Sequence, residues 1–168
     1  MFGNPPRMMV QWSMERGKTK TYLRDGRAPV PKSEATSRVM SANRGKNTKP
    51  ELTLRGALRS IGLTGYRIHW RSAPGRPDIS FPGRKVAIFV NGCFWHSCPY
   101  CRLPLPKSNT EYWRAKFERN SERDARKKDA LEEDGWHVII VWECEIRRNP
   151  LDCAERIARV VTGIHNEV

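Results

Sequence analysis

Residues 75–96 read GRPDISFPGRKVAIFVNGCFWH, and this stretch decides the fold. Two turn signals, Pro74-Gly75 and Pro82-Gly83, bracket Asp78-Ile79-Ser80-Phe81, a short apolar segment that reads as a strand. The following Lys85-Val86-Ala87-Ile88-Phe89-Val90 is almost continuously apolar, which suits a strand covered on both faces. Upstream, Tyr66, Ile68 and Trp70 alternate with polar neighbours as a half-buried strand does. Before them, Thr48-Lys49-Pro50-Glu51 combines an N-cap Thr, a first-turn Pro and a capping-box Glu. It opens a helix with Leu54, Leu58 and Ile61 on one face and Gly62 as its stop. Downstream, residues 92–107 form a loop rich in Cys and Pro, and Ser108 with Glu111 is a second capping box. That box predicts a helix reaching Glu133, stopped by Gly135. Trp136 to Trp142 is a further apolar strand. Asn149-Pro150 caps a last helix with Leu151, Ala154, Ile157, Ala158 and Val161 on its buried face. The order α-β-β-β-α-β-α predicts an α/β fold, a mixed sheet flanked by helices.

The 168 residues have room for one domain with a sizeable core. Residues 1–32, basic and rich in Pro and Gly, read as a disordered arm, and 33–168 as the single domain, with a short helix over Ser33–Asn43. Lys and Arg number 31 against 18 Asp and Glu, a net 31 − 18 = +13 that points to a polyanionic partner. No stretch approaches the roughly 18 apolar residues that span a bilayer, and no signal peptide opens the chain, so a cytoplasmic, nucleoid-associated protein without a membrane partner is expected.

In a reducing compartment five cysteines are poor disulfide material, and metal ligation becomes their leading use. Cys93, Cys98 and Cys101 share one loop, and Cys144 follows the strand ending at Trp142. Four thiolates make a closed tetrahedral Zn²⁺ site that pins the loop onto that strand. The competing reading is buried free thiols or a redox pair. His96, three residues after Cys93, is an alternative ligand, whereas Cys153 reads as core.

The second constellation is carboxylate-based. Asp78 at the start of one strand, with a backbone oxygen or other acceptor at Phe89-Val90-Asn91 of its neighbour, can hold a Mg²⁺ that keeps several waters and activates one of them against a phosphodiester. A lone Asp after a turn more often satisfies turn amides. Context shifts that balance, because Glu51, Asp78 and His96 can converge at one sheet end, with His96 as general acid or base.

In the helix after Ser108, Trp113, Phe117 and Leu131 define an apolar stripe that also contains Asn120 and Asp124. Polar groups in such a stripe need partners, so this face either drifts to solvent or lies beside a functional site. Lys116, Arg123 and their basic neighbours offer phosphate-binding charge, although a charge run is usually a solvated face. Phe94-Trp95 is either a core plug or a wedge between bases, and the basic context favours the wedge.

Taken together, G-R-P-D at 75–78, F-V-N-G-C-F-W-H at 89–96, T-E-Y-W at 110–113, R-N-S-E-R-D at 119–124, G-W at 135–136 and V-W-E-C at 141–144 resemble the very short patch repair (Vsr) DNA mismatch endonucleases, over residues 36–146. The resemblance implies a divergent PD-(D/E)XK nuclease core with a structural zinc. It also implies nicking of one DNA strand 5′ to the T of a T:G mismatch left by deamination of 5-methylcytosine, with Mg²⁺. By the same resemblance Asp78 matches the metal-binding Asp, the Val90 carbonyl a backbone metal ligand, His96 the catalytic His and Glu51 a carboxylate that organises water. Phe94, Trp95 and Met40 match residues that enter the base stack. Asn91 stands where other members carry a different side chain. That departure keeps open a catalytically weak mismatch or DNA-structure binding protein, and a second alternative is a restriction- or defence-type nuclease on the same fold. A monomer acting on mismatched duplex DNA is expected, with repair proteins as further partners.

Overall fold

The computed structural model describes residues 9–10, 22–23, 34, 38 and 44–163. The chain forms two compact units, Met1–Ala42 and Asn43–Val168. In the first, β1 (Met9–Val10) pairs antiparallel with β2 (Tyr22–Leu23). The arm read at 1–32 otherwise lies outside the described residues. So does most of the stretch Ser33–Asn43, where Glu34 and Arg38 are helical; Met40 is not among the described residues.

The second unit begins with α1 (Lys49–Ser60), whose capping box forms as the sequence predicts: Thr48 Oγ1 accepts from Glu51 N–H, and Glu51 Oε1 accepts from Thr48 N–H. Then come β3 (Arg67–Ile68), β4 (Ile79–Phe81), a 3-10 turn at Pro82–Arg84 and β5 (Val86–Asn91). The long α2 (Thr110–Glu133), β6 (His137–Trp142), α3 (Glu143–Arg148) and α4 (Pro150–Gly163) complete it. The sheet order is β3-β4-β5-β6, antiparallel except for the β5–β6 pair, which α2 connects in parallel.

The two-sided strand predicted from 85–90 is the centre of the molecule. Val86 and Ile88 of β5 point to one face, where Leu54 and Leu58 of α1 and Ala154, Ile157 and Val161 of α4 cover them. Ala87 and Phe89 point to the other, against Leu131 of α2 and Trp136. Each large buried aliphatic contributes about 1.5–3 kcal/mol by leaving water.

Four expectations need correction. The strand around Tyr66–Trp70 shrinks to Arg67–Ile68, both exposed, because His69 adopts a left-handed φ of +46° and ends the extended run. The Ser108 capping box does not form. Asn109, itself left-handed at φ +56°, is the N-cap residue of α2 and makes no side-chain cap bond. An additional short helix, α3, separates β6 from α4, and Leu151 is exposed rather than buried, although Asn149 Oδ1 caps α4 as expected by accepting from Leu151 and Asp152 N–H. Cys153 is buried in the α4 core as expected.

Gly75, at φ +67°, needs its missing side chain. A Cβ there would stand 2.8 Å from Cβ and Cγ of Lys127 on α2. The turn leading into Asp78 is thereby pressed directly on that helix.

Candidate functional site

Glu51 is fixed before any ligand arrives. Besides its bond to Thr48, its Oε2 accepts from Asn47 N–H at 3.0 Å and lies 3.9 Å from Arg55, whose own Nη2 donates to Asn47 Oδ1. The capping residue and the candidate catalytic residue are thus one side chain. Glu51 is 4% exposed, a buried carboxylate that persists because every oxygen has a partner.

Asp78 comes to Glu51 from the other side of the sheet end. Its Oδ2 accepts from Val90 N–H at 2.8 Å, linking the start of β4 to the end of β5. Burial raises the carboxyl pKa, which the Val90 amide partly offsets, and Glu51 adds to the rise. His69, which the sequence reading passed over as part of a strand, lies between them: Nε2 is 3.4 Å from Glu51 Oε2 and Nδ1 is 3.6 Å from Asp78 Oδ1. One donor atom each from Glu51, His69 and Asp78 falls within a 4.8 Å cluster, a spacing that can hold a divalent cation. Nothing in the local sequence marks His69; the signal is its left-handed backbone, which is a structural observation.

His96 is not part of that cluster. Its Nδ1 pairs with Asp124 Oδ2 on α2, and Arg123 holds the other oxygen, Nη2 to Oδ1 at 3.2 Å. Burial alone would raise the pKa of Asp124, yet the His96 contact and Arg123 outweigh it and hold it below the usual carboxylate value. Four residues earlier on the same helix face, Asn120 Nδ2 donates to the Trp95 carbonyl at 2.8 Å. The polar positions in the α2 stripe therefore find their partners in the loop: two neighbouring loop residues are held by two helix residues one turn apart. Asn91, the residue before the loop, lines a small cavity with Asp124 and Lys127.

Phe94 and Trp95 are half-buried. Phe94 meets Trp95, Trp113 and Phe117 edge-on at centroid distances of 5.1 to 5.2 Å. Lys116 sits over both Trp95 and Tyr112, at 5.7 and 5.6 Å from the ring centroids. These rings pack as an aromatic plug in the chain without DNA.

Cys93, Cys98, Cys101 and Cys144 form the other cluster, with one Sγ each inside 4.8 Å. The Sγ atoms of Cys98 and Cys144 are 3.7 Å apart. The edge of a tetrahedron of thiolates at a Zn–S length of about 2.3 Å is about 3.8 Å, so the donor set and its size fit zinc. Burial pushes the Cys93 thiol up. Burial opposes ionisation of Cys98 as well, but the Cys101 and Tyr100 amides override it and lower its pKa. Glu143, beside Cys144, accepts from Cys93 N–H at 3.3 Å and ties the loop's start to the end of β6. His96, engaged with Asp124, lies outside the thiol cluster.

A small α/β domain with a carboxylate–imidazole pocket, a separate His–Asp pair, a thiolate cluster and a strongly basic surface has the parts of a nucleic-acid-cleaving enzyme. Comparison with known proteins makes this specific. A family profile described as DNA mismatch endonuclease Vsr matches residues 30–102. The Type II nicking enzyme V.XorIIP of Xanthomonas oryzae pv. oryzae is 49% identical over 109 residues, covering 64% of this chain and 79% of that protein. The Type II nicking enzyme V.NaeI of Lentzea aerocolonigenes is 41% identical over 147 residues, 84% and 83%. The DNA mismatch endonuclease Vsr of Escherichia coli is 38% identical over 120 residues, 71% and 76%. The chain belongs to the Vsr family of DNA endonucleases.

Proposed function

We propose that this endonuclease nicks one strand of duplex DNA 5′ to the T of a T:G mismatch, with Mg²⁺ held at Asp78. The observation that carries this reading is the convergence of Glu51 and Asp78, each pinned by backbone amides, at the end of β5. In an extended strand the N–H and C=O of one residue project to the same flank. The Val90 amide bound to Asp78 therefore supports the Val90 carbonyl as a further oxygen donor on that flank. A buried, oxygen-rich pocket suits a hard divalent cation, and His69 Nε2 is buried there with no hydrogen-bond partner. When bound, such a cation supplies Lewis-acid stabilisation of the developing phosphoryl charge and a more acidic water.

The chain's own residues do the rest. Glu51 orients water beside the scissile phosphate. His96, oriented by Asp124, exchanges a proton with the attacking or leaving oxygen through its free Nε2. Phe94 and Trp95 enter the opened step, at the site where a mispair makes unstacking cheapest. Lys116, Asn120 and Arg123 carry this face toward the phosphates, and zinc at Cys93, Cys98, Cys101 and Cys144 holds the aromatic loop. The element order α1-β3-β4-β5-α2-β6 supports a divergent PD-(D/E)XK core, with Pro77-Asp78 leading into β4. Among the described residues no helix is long and apolar enough to cross a membrane. A monomer in the cytoplasm, working with repair proteins, is consistent with this chemistry.

Nicking of an end-labelled T:G duplex in Mg²⁺ by wild type, Asp78→Ala and His96→Ala tests the reading, with a C:G duplex as control. Cleavage confined to wild type and to the T:G strand is expected. Equal residual cleavage by all three proteins rejects the site. Tight mismatch binding without a nick in wild type replaces this reading with the binding protein considered from the sequence.

A further inference from the structure

The Glu51–Asp78 pocket holds a third donor whose geometry is unusual. His69 follows β3, and its backbone N–H donates to the Asp78 carbonyl at 3.2 Å, so the two residues are fixed opposite each other across the β3–β4 ladder. Its φ of +46° is a left-handed conformation that non-glycine residues seldom adopt. Such a conformation persists where surrounding structure enforces it, and it is found preferentially at functional sites. Here it turns the imidazole inward. The ring is 14% exposed, and Nε2 is buried without a hydrogen-bond partner although a Glu51 oxygen stands 3.4 Å away.

The neighbours account for the other atoms. Glu51 Oε1 is taken by Thr48, and Oε2 by Asn47 N–H with Arg55 beside it; Asp78 Oδ2 is taken by Val90. What remains is His69 between the two carboxylates, with Nε2 3.4 Å from Glu51 Oε2 and Nδ1 3.6 Å from Asp78 Oδ1, and one donor atom of each residue within 4.8 Å of the others. Ligand atoms on an octahedron of about 2.1 Å radius lie about 3.0 Å apart when adjacent and about 4.2 Å when opposite. The 3.4 Å between His69 Nε2 and Glu51 Oε2, within a 4.8 Å cluster, matches that scale.

We propose that His69 is a nitrogen ligand of the divalent cation in this pocket, which makes the centre a mixed imidazole–carboxylate site selective for Mn²⁺ and Co²⁺ beyond what its carboxylates alone confer. The proposal rests on the reading that Asp78 holds the cation. Imidazole adds little for Mg²⁺, a hard ion that prefers oxygen, and more for the later divalent metals. Manganese does not compete with zinc for thiolates, so the cysteine cluster stays loaded while the pocket is probed.

The experiment titrates the full, zinc-loaded chain with Mn²⁺ and records electron spin echo envelope modulation of the bound ion. Wild type shows nitrogen modulation from a coordinated imidazole, and His69→Gln loses it. His69→Gln also binds Mn²⁺ about tenfold more weakly, while Mg²⁺ affinity, read by competition, changes less than about threefold. Bound Mn²⁺ without nitrogen modulation in wild type, or modulation undiminished in His69→Gln, overturns the proposal. Asp78→Asn separates the two readings. If it abolishes Mn²⁺ binding while wild type lacks the nitrogen signal, His69 alone falls; if it binds Mn²⁺ like wild type, the placement of the cation at Asp78 falls too.

Discussion

The two clusters of metal-capable side chains are assembled by opposite rules. Three of the four cysteines sit within nine residues of one loop, and the fourth arrives in the first turn of α3, directly after β6. Glu51, His69 and Asp78 come instead from a helix start, a strand end and a turn; Glu51 is anchored by the cap of its own helix, and His69 and Asp78 by bonds across the sheet. Most of the thiolate cluster sits in a Pro-rich loop outside any helix or strand, so a metal bound there would hold that loop in place. The carboxylate cluster is held by the sheet and the α1 cap, and a cation bound there would add chemistry to it rather than shape.

That contrast can be broken by substitution. The largest effect belongs to Cys144→Ser, since closed zinc sites contribute about 10–16 kcal/mol of apparent binding free energy to folding. Zinc content should fall well below one per chain, and the near-ultraviolet signal of Phe94, Trp95 and Trp113 should collapse; retention of both would mean the thiols do not support the loop. Asp78→Asn should remove nicking by roughly a thousandfold or more, the scale of a lost Lewis acid, with zinc content unchanged. Its stability should move the other way. A carboxyl whose folded pKa is raised above the unfolded value gains stability as pH falls through that folded pKa and loses it above. At pH 7 without added Mg²⁺ the Asn variant should therefore unfold at higher urea than wild type, and a lower midpoint would contradict the burial argument.

Asp124→Asn sharpens the comparison from the α2 side. It should lower the nicking rate by about tenfold or more, part of the 10²–10⁴ that a positioned acid or base supplies. Because the folded pKa of Asp124 is depressed, its stabilisation is present above the ordinary carboxylate range and lost as pH falls through the folded value. The stability gap between wild type and variant should thus narrow on acidification, a difference to which zinc release in both proteins contributes equally. Lys128→Ala provides the small end of the scale. Its partner Glu132 is a solvent-exposed neighbour one turn away, and the thermal melting midpoint should stay almost unchanged.

How far the sequence could be read follows from the same contrast. The thiolates were legible because their ligands are close in sequence and their chemistry is narrow. Strand β5 was legible because a run apolar on both faces has few other homes, and α1 because its capping box is local. Asn120 and Asp124 were visible as polar residues in an apolar stripe, yet their partners, the Trp95 carbonyl and His96, belong to a loop whose path no periodicity encodes. His69 was hidden for a further reason. Tyr66-Arg67-Ile68-His69-Trp70 alternates well enough to pass for a strand, and only the turn of φ at His69 breaks it.

The contact between Gly75 and Lys127 has an effect unlike any other in the pocket. Ion pairs and hydrogen bonds there respond to acid, salt and temperature, whereas two atoms at van der Waals separation do not. The least gap between the turn that carries Asp78 and the helix that carries Asp124 is limited by hard-sphere repulsion at Gly75. That lower limit on how closely the Asp78 turn and the α2 helix can approach does not depend on the charges around them. A side chain as small as a methyl group at position 75 would reset it.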